Sequence, residues 1–186
     1  MIRKKLDSLY NAGGYLAAFF LVTICLLVVV QVSFNCIDRI STLTTGTAIG
    51  LTIPSYSDFT GFFLASSSFL ALAYTMRKGS HIRVTLIFSN LSEPIQKVVE
   101  TLCLLFASVI SLYFTVYTAY LVYESFIYND LSSGMVAIPI WIPQSSMLLG
   151  LCLLSISFVD DFFCHITGRS ISYNRHLDKI AQDMNE

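Results

Sequence analysis

Arg77-Lys78-Gly79-Ser80-His81-Ile82-Arg83-Val84 is the stretch on which the reading of this chain turns. It is a compact basic turn near the middle of 186 residues, and on each side of it lie two long runs free of Asp, Glu, Lys and Arg. Those runs are 8–37, 59–76, 101–123 and 131–159. Each reaches the roughly 18 residues that carry a helix across a hydrocarbon core of about 30 Å. The basic turn therefore reads as a hinge between two transmembrane hairpins.

Composition agrees: 55% of the residues are hydrophobic and only 12% charged, far from the balance of a water-soluble domain. The expected fold is an all-α membrane protein with four transmembrane helices, forming a single membrane domain over 1–186. The expected spans are about 15–35, 58–76, 97–122 and 141–161. Between spans two and three, a cytoplasmic hinge and a short amphipathic interfacial helix are expected at 77–93. Val84, Ile87, Phe88 and Leu91 give that helix its apolar face. Residues 162–186 form a polar tail. The first apolar run is too long for a cleaved leader and is expected to stay.

Of 11 Lys and Arg, Arg39 alone falls outside three segments: Arg3, Lys4, Lys5; Arg77, Lys78, Arg83, Lys97; and Arg169, Arg175, Lys179. The positive-inside rule assigns these segments, hence both termini and the hinge, to the cytoplasm. Residues 38–57, rich in Ser, Thr and Gly, then form an external loop.

In span two, Gly61, Ala65, Ser68 and Leu72 share one face. Small residues let helices approach closely in lipid, so this is a candidate packing seam, within the chain or toward another subunit. Tyr113, Tyr117, Tyr120 and Tyr123 lie toward the outer half of span three, as an aromatic belt would. Pro139, Trp141 and Pro143 mark the start of span four, the Trp as an interfacial anchor. Arg77, Lys78, Gly79, His81 and Arg83 are candidate contacts for a partner or for anionic headgroups.

No ionisable residue falls near mid-membrane, where one would signal an ion or substrate path. His81, His165 and His176 all lie toward the cytoplasmic side, so no pair is placed to hold haem within a bundle. The five cysteines lack C-x-x-C spacing, and Cys25, Cys103 and Cys152 are expected to pack as small apolar side chains. No phosphate-binding glycine loop, zincin motif or nucleophile elbow occurs. The sequence thus points to no catalytic residue, no cofactor and no metal.

These residues resemble the small membrane subunit (DctQ-type) of tripartite ATP-independent periplasmic, or TRAP, transporters. The resemblance covers roughly residues 10–165 and rests on the hinge, similar to R-x-G-x-H-[IV]-x-V, and on Ile138, Pro139, Trp141, Ile142, Pro143 with Gly150. Where many members begin span two with a Trp and paired acids, this chain has Tyr56, Ser57, Asp58, Phe59. The resemblance implies a non-catalytic scaffold subunit, not an enzyme, in the bacterial inner membrane. Its implied partners are a large elevator-type (M-type) permease subunit, a periplasmic substrate-binding protein and membrane lipids, with no nucleic acid. The transport implied is sodium-driven symport of a carboxylate-type organic acid. A four-helix membrane redox protein and a self-associating pore are the alternatives.

Overall fold

The computed structural model describes residues 2–77 and 93–167. Among these are four helices long and apolar enough to cross a membrane: α1, Ile2–Thr45; α2, Tyr56–Arg77; α3, Glu93–Ile127; and α4, Trp141–Ile166. Beside them stands one isolated antiparallel bridge, Leu131 with Pro139. Of the candidate hinge residues, Lys78, Gly79, His81 and Arg83 lie outside the described residues, as does the expected interfacial helix over Val84–Leu91. Arg77 is described only as the last residue of α2.

α1 runs beyond the expected span at both ends, continuing to Thr45 where a loop is expected from Asp38. The Thr residues of this stretch are satisfied inside the helix. Thr42 Oγ1 donates to the Asp38 carbonyl at 2.7 Å and Thr45 Oγ1 to the Ser41 carbonyl at 2.8 Å, so these side chains compete little with the helical backbone. Gly46, at φ +78, ends the helix. Its N–H donates to the Thr42 carbonyl at 3.1 Å, the left-handed glycine termination that leaves no Cβ to clash. At about 1.5 Å per residue, the 44 residues of α1 extend roughly 66 Å, twice the hydrocarbon thickness.

α2 starts after Pro54, where the Ser55 carbonyl accepts from the Asp58 N–H at 3.0 Å. Asp58 places a negative charge in the first turn, where the helix dipole favours it. α4 has Pro143 in its first turn, a position whose missing N–H has no intrahelical partner to lose.

The helices form a layer in the order α1, α2, α4, α3, with α4 packed on both α2 and α3 and α1 packed on α2. Pairing across the seams fixes directions. Ser67 of α2 meets Ala17 of α1, while Phe63 meets Phe20, so these two helices are antiparallel. Ser66 meets Ser146 and Phe69 lies against Gly150, so α2 and α4 run parallel. Thr115 meets Ser155 and Thr101 meets His165, so α3 and α4 are antiparallel. Residues 2, 77, 93 and 166 consequently share one end of the layer, the hinge end, and residues 45, 56, 127 and 141 the other, the loop end.

At the loop end both connections are tied down. Gln31, 4% exposed, accepts from the Ile53 N–H at 2.9 Å and donates to Thr52 Oγ1 and Asn35 Oδ1, both at 3.2 Å. Asp38 Oδ1 accepts from the Ile49 and Gly50 N–H groups at 3.1 Å each. Ser55 Oγ accepts from the Val136 N–H at 2.9 Å, joining the loop before α4 to the start of α2.

Candidate functional site

In this layer the surfaces between helices are the structural assets, and they invert the pattern of a soluble core. Fully buried polar side chains outnumber buried apolar ones among the described residues, nine (Gln31, seven serines and Asp161) against seven. The clearest case is α3. Thr101, Leu104, Ser108, Ser111, Thr115, Thr118, Val122 and Ser125 are its buried and half-buried stripe, recurring every three or four residues. Phe106, Val109, Tyr113, Val116, Tyr117 and Tyr120 face outward. In lipid this is the economical arrangement. Hydrocarbon solvates Leu and Phe as well as a protein interior does, while small hydroxyl residues allow close approach and hydrogen bonds across the seam.

Those bonds are in place. Thr115 Oγ1 lies 2.9 Å from Ser155 Oγ across α3 and α4. Ser67 Oγ donates to the Ala17 carbonyl at 3.0 Å across α2 and α1, and Ser66 and Ser146 share a hydrogen bond across α2 and α4. Glycines set the spacing. A Cβ on Gly150 would stand 2.5 Å from the Phe69 carbonyl carbon and oxygen, and one on Gly14 would stand 2.8 Å from the Tyr74 ring. Both positions therefore require glycine for the observed approach. Ser157 is fully buried on α4, with no hydrogen-bond partner for its Oγ among the described residues.

Ionisable groups gather at the hinge end. His165 Nδ1 is 3.1 Å from Thr101 Oγ1, and its Nε2 is 3.4 Å from Glu100 Oε2, which clamps the end of α4 to the start of α3. Asp161 is 1% exposed and Asp160 half-buried. Between the two ends, segments 8–37, 59–76, 101–123 and 141–159 pass through the layer without a charge. Among the described residues no group of three or more His, Cys, Asp or Glu is placed to hold a metal ion.

The expected interface residues separate into two sets. Gly61 and Ser68 are exposed, Ala65 and Leu72 are half-buried, and an added Cβ on Gly61 meets nothing within 4 Å. The packed face of α2 is instead Ser66, Ser67, Leu70 and Ala73. Pro139, Trp141 and Pro143 do come together, but inside the fold: Pro139 bridges to Leu131, Pro143 is buried, and the Trp141 ring meets Phe126 edge-on at 5.6 Å. Trp141 thereby pins the end of α3 to the start of α4. Tyr10 is buried between helices, while Tyr15 is exposed. All five cysteines are free. Cys25, Cys36 and Cys103 point outward, Cys152 is half-buried and Cys164 buried.

The family model described as "Tripartite ATP-independent periplasmic transporters, DctQ component" matches residues 47–168. That segment runs from the loop before α2 to just past the end of α4. No curated protein and no solved structure matches the chain.

Proposed function

The chain belongs to the DctQ component family of tripartite ATP-independent periplasmic transporters, and from that membership we propose that it is the static scaffold subunit of a sodium-driven, binding-protein-dependent transporter for a carboxylate-type organic solute. Membership makes it a multi-pass membrane transporter component and not an enzyme. The finer reading is that it holds a large elevator-type permease subunit in place while that subunit moves the substrate delivered by a periplasmic binding protein.

One observation carries this division of labour. All four helices are continuous, and their charged residues lie only toward the ends. Carrying a carboxylate or a sodium ion across hydrocarbon takes charges, polar groups or broken-helix termini at mid-membrane to replace hydration. Hydroxyl seams closed by their own hydrogen bonds make a rigid layer, suited to standing still. The same reading puts the chain in the bacterial inner membrane with the hinge end cytoplasmic, supported by the bias of Lys and Arg in the sequence toward residues 3–5, 77–97 and 169–179.

The test is co-expression with the large subunit under an affinity tag on this chain. The large subunit is expected to co-purify in stoichiometric amount from mild detergent. Purification of this chain alone, as a monomer or as a conducting homo-oligomer, would refute the scaffold assignment and favour a pore.

A further inference from the structure

Tyr113 and Tyr117 stand on the face of α3 turned away from the rest of the chain, 56% and 59% exposed. Their rings lie 4.5 Å apart at a 41° tilt, so the two phenol groups stand side by side on this face. Their depth is unusual. Glu100 and Glu124 mark the polar limits of α3, and at about 1.5 Å per residue Tyr113 is roughly 20 Å from the first and 16 Å from the second. That places it near the centre of a hydrocarbon core of about 30 Å. Tyr120 and Tyr123 lie within about a turn of Glu124, where an aromatic belt belongs; Tyr113 and Tyr117 do not. Helical side chains lean toward the N-terminus of their helix, here the hinge end, so neither hydroxyl is carried toward the nearer polar boundary.

Other outward hydroxyls at membrane depth satisfy themselves. Thr23 donates to the Phe19 carbonyl, Ser33 to Val29 and Ser68 to Leu64, each one turn back. A phenol hydroxyl stands too far from its own backbone to do this. Within the tyrosine pair, even with one hydroxyl turned toward the other, at least one hydroxyl proton has no acceptor among the described residues. Leaving it in hydrocarbon is costly. The outward face of α1, with Leu16, Val22, Leu26, Val29 and Val32, carries no such demand and suits lipid.

We infer that the Tyr113 and Tyr117 face of α3 is where the large transporter subunit docks, through a transmembrane segment that presents a hydrogen-bond acceptor at mid-membrane. The demand is specific in chemistry and depth: lipid chains offer no acceptor there, whereas a membrane helix does so through a hydroxyl, carboxamide or unpaired carbonyl oxygen. A shallow depression beside the pair, lined by Val116, Ala119, Tyr120 and Tyr123, gives room for a helix ridge at Ala119. This inference rests on the scaffold reading and adds a face to it.

The test uses the intact complex, with a benzophenone amino acid placed at position 113, 117, 22 or 29 in turn. Positions 113 and 117 are expected to photo-crosslink to the large subunit, while 22 and 29 give no protein product. The double variant Tyr113→Phe, Tyr117→Phe keeps both rings and removes only the hydroxyls. It is expected to retain the large subunit about tenfold less well, with its own membrane level unchanged. If the wild-type subunits co-purify but position 113 crosslinks to a second copy of this chain or to no protein, or the Phe pair retains the partner fully, the docking face is wrong and the scaffold reading stands. If the wild-type subunits do not co-purify at all, the scaffold reading falls and this face falls with it.

Discussion

Replacing Gly150 with Ala adds one methyl group at the tightest helix crossing in the described layer, with a consequence that can be worked from the structure. The new Cβ would sit 2.5 Å from the carbonyl carbon and oxygen of Phe69 and 2.8 Å from its Cβ. Two of these three atoms are backbone, so rotamer changes give no relief, and α2 and α4 must separate by about 1 Å to restore ordinary contact. Overpacking of this kind costs about 1–3 kcal/mol. The same shift lengthens the Ser66 to Ser146 hydrogen bond one turn away, and such bonds within membranes contribute about 0.6 kcal/mol. The sum is about 2–4 kcal/mol. For a chain of this length each kcal/mol moves the midpoint by about 2–4 °C, so thermal unfolding in mild detergent, followed by circular dichroism, should fall by about 5–15 °C. Gly61→Ala is the matched control, because its Cβ enters open space; its midpoint should stay level or rise slightly through better helix propensity. Equal midpoints for Gly150→Ala and wild type would refute the close α2 to α4 approach.

Gln31→Leu removes the side chain that holds residues 52 and 53 against α1 and leaves the Ile53 N–H without its acceptor. At about 1–3 kcal/mol for an orphaned group, amide exchange at Ile53 should speed up by about ten- to a hundredfold, as read by hydrogen–deuterium exchange, while the centre of α4 stays protected. In a cysteine-free background, single cysteines at positions 46 and 133 should react with an impermeant reagent added from outside, and those at 80 and 175 should be protected. Labelling of position 80 from outside would reverse the orientation.

The fold class is legible in the sequence because hydrocarbon thickness converts charge-free length directly into helix count. The limits of α1 are less so. Residues 38–45 look like loop by composition, yet their threonine hydroxyls close onto carbonyls one turn back, and only Gly46 marks the stop. Nor is the packing face evident from hydrophobic periodicity, because in lipid the seam is the polar side. The useful signal is the run of Thr and Ser from Thr101 to Ser125 at three- and four-residue spacing, together with Gly14 and Gly150. The stripe at Gly61 and Ser68 has similar composition but stays outside the layer. Spacing shows which residues share a helix face, and the position of neighbouring helices decides whether that face is used. Similarly, four tyrosines in one half of a helix read as a belt until their distances from Glu124 separate Tyr120 and Tyr123 from the deeper pair.

Uptake into proteoliposomes tests the central claim most directly. Vesicles carrying this chain alone, with a sodium gradient imposed, are predicted to take up labelled organic acid no faster than empty vesicles. Adding the large subunit and the loaded binding protein should make uptake sodium-dependent. Sodium-dependent uptake by this chain alone would contradict the account, since it would require a mid-membrane path that the four uncharged segments do not supply.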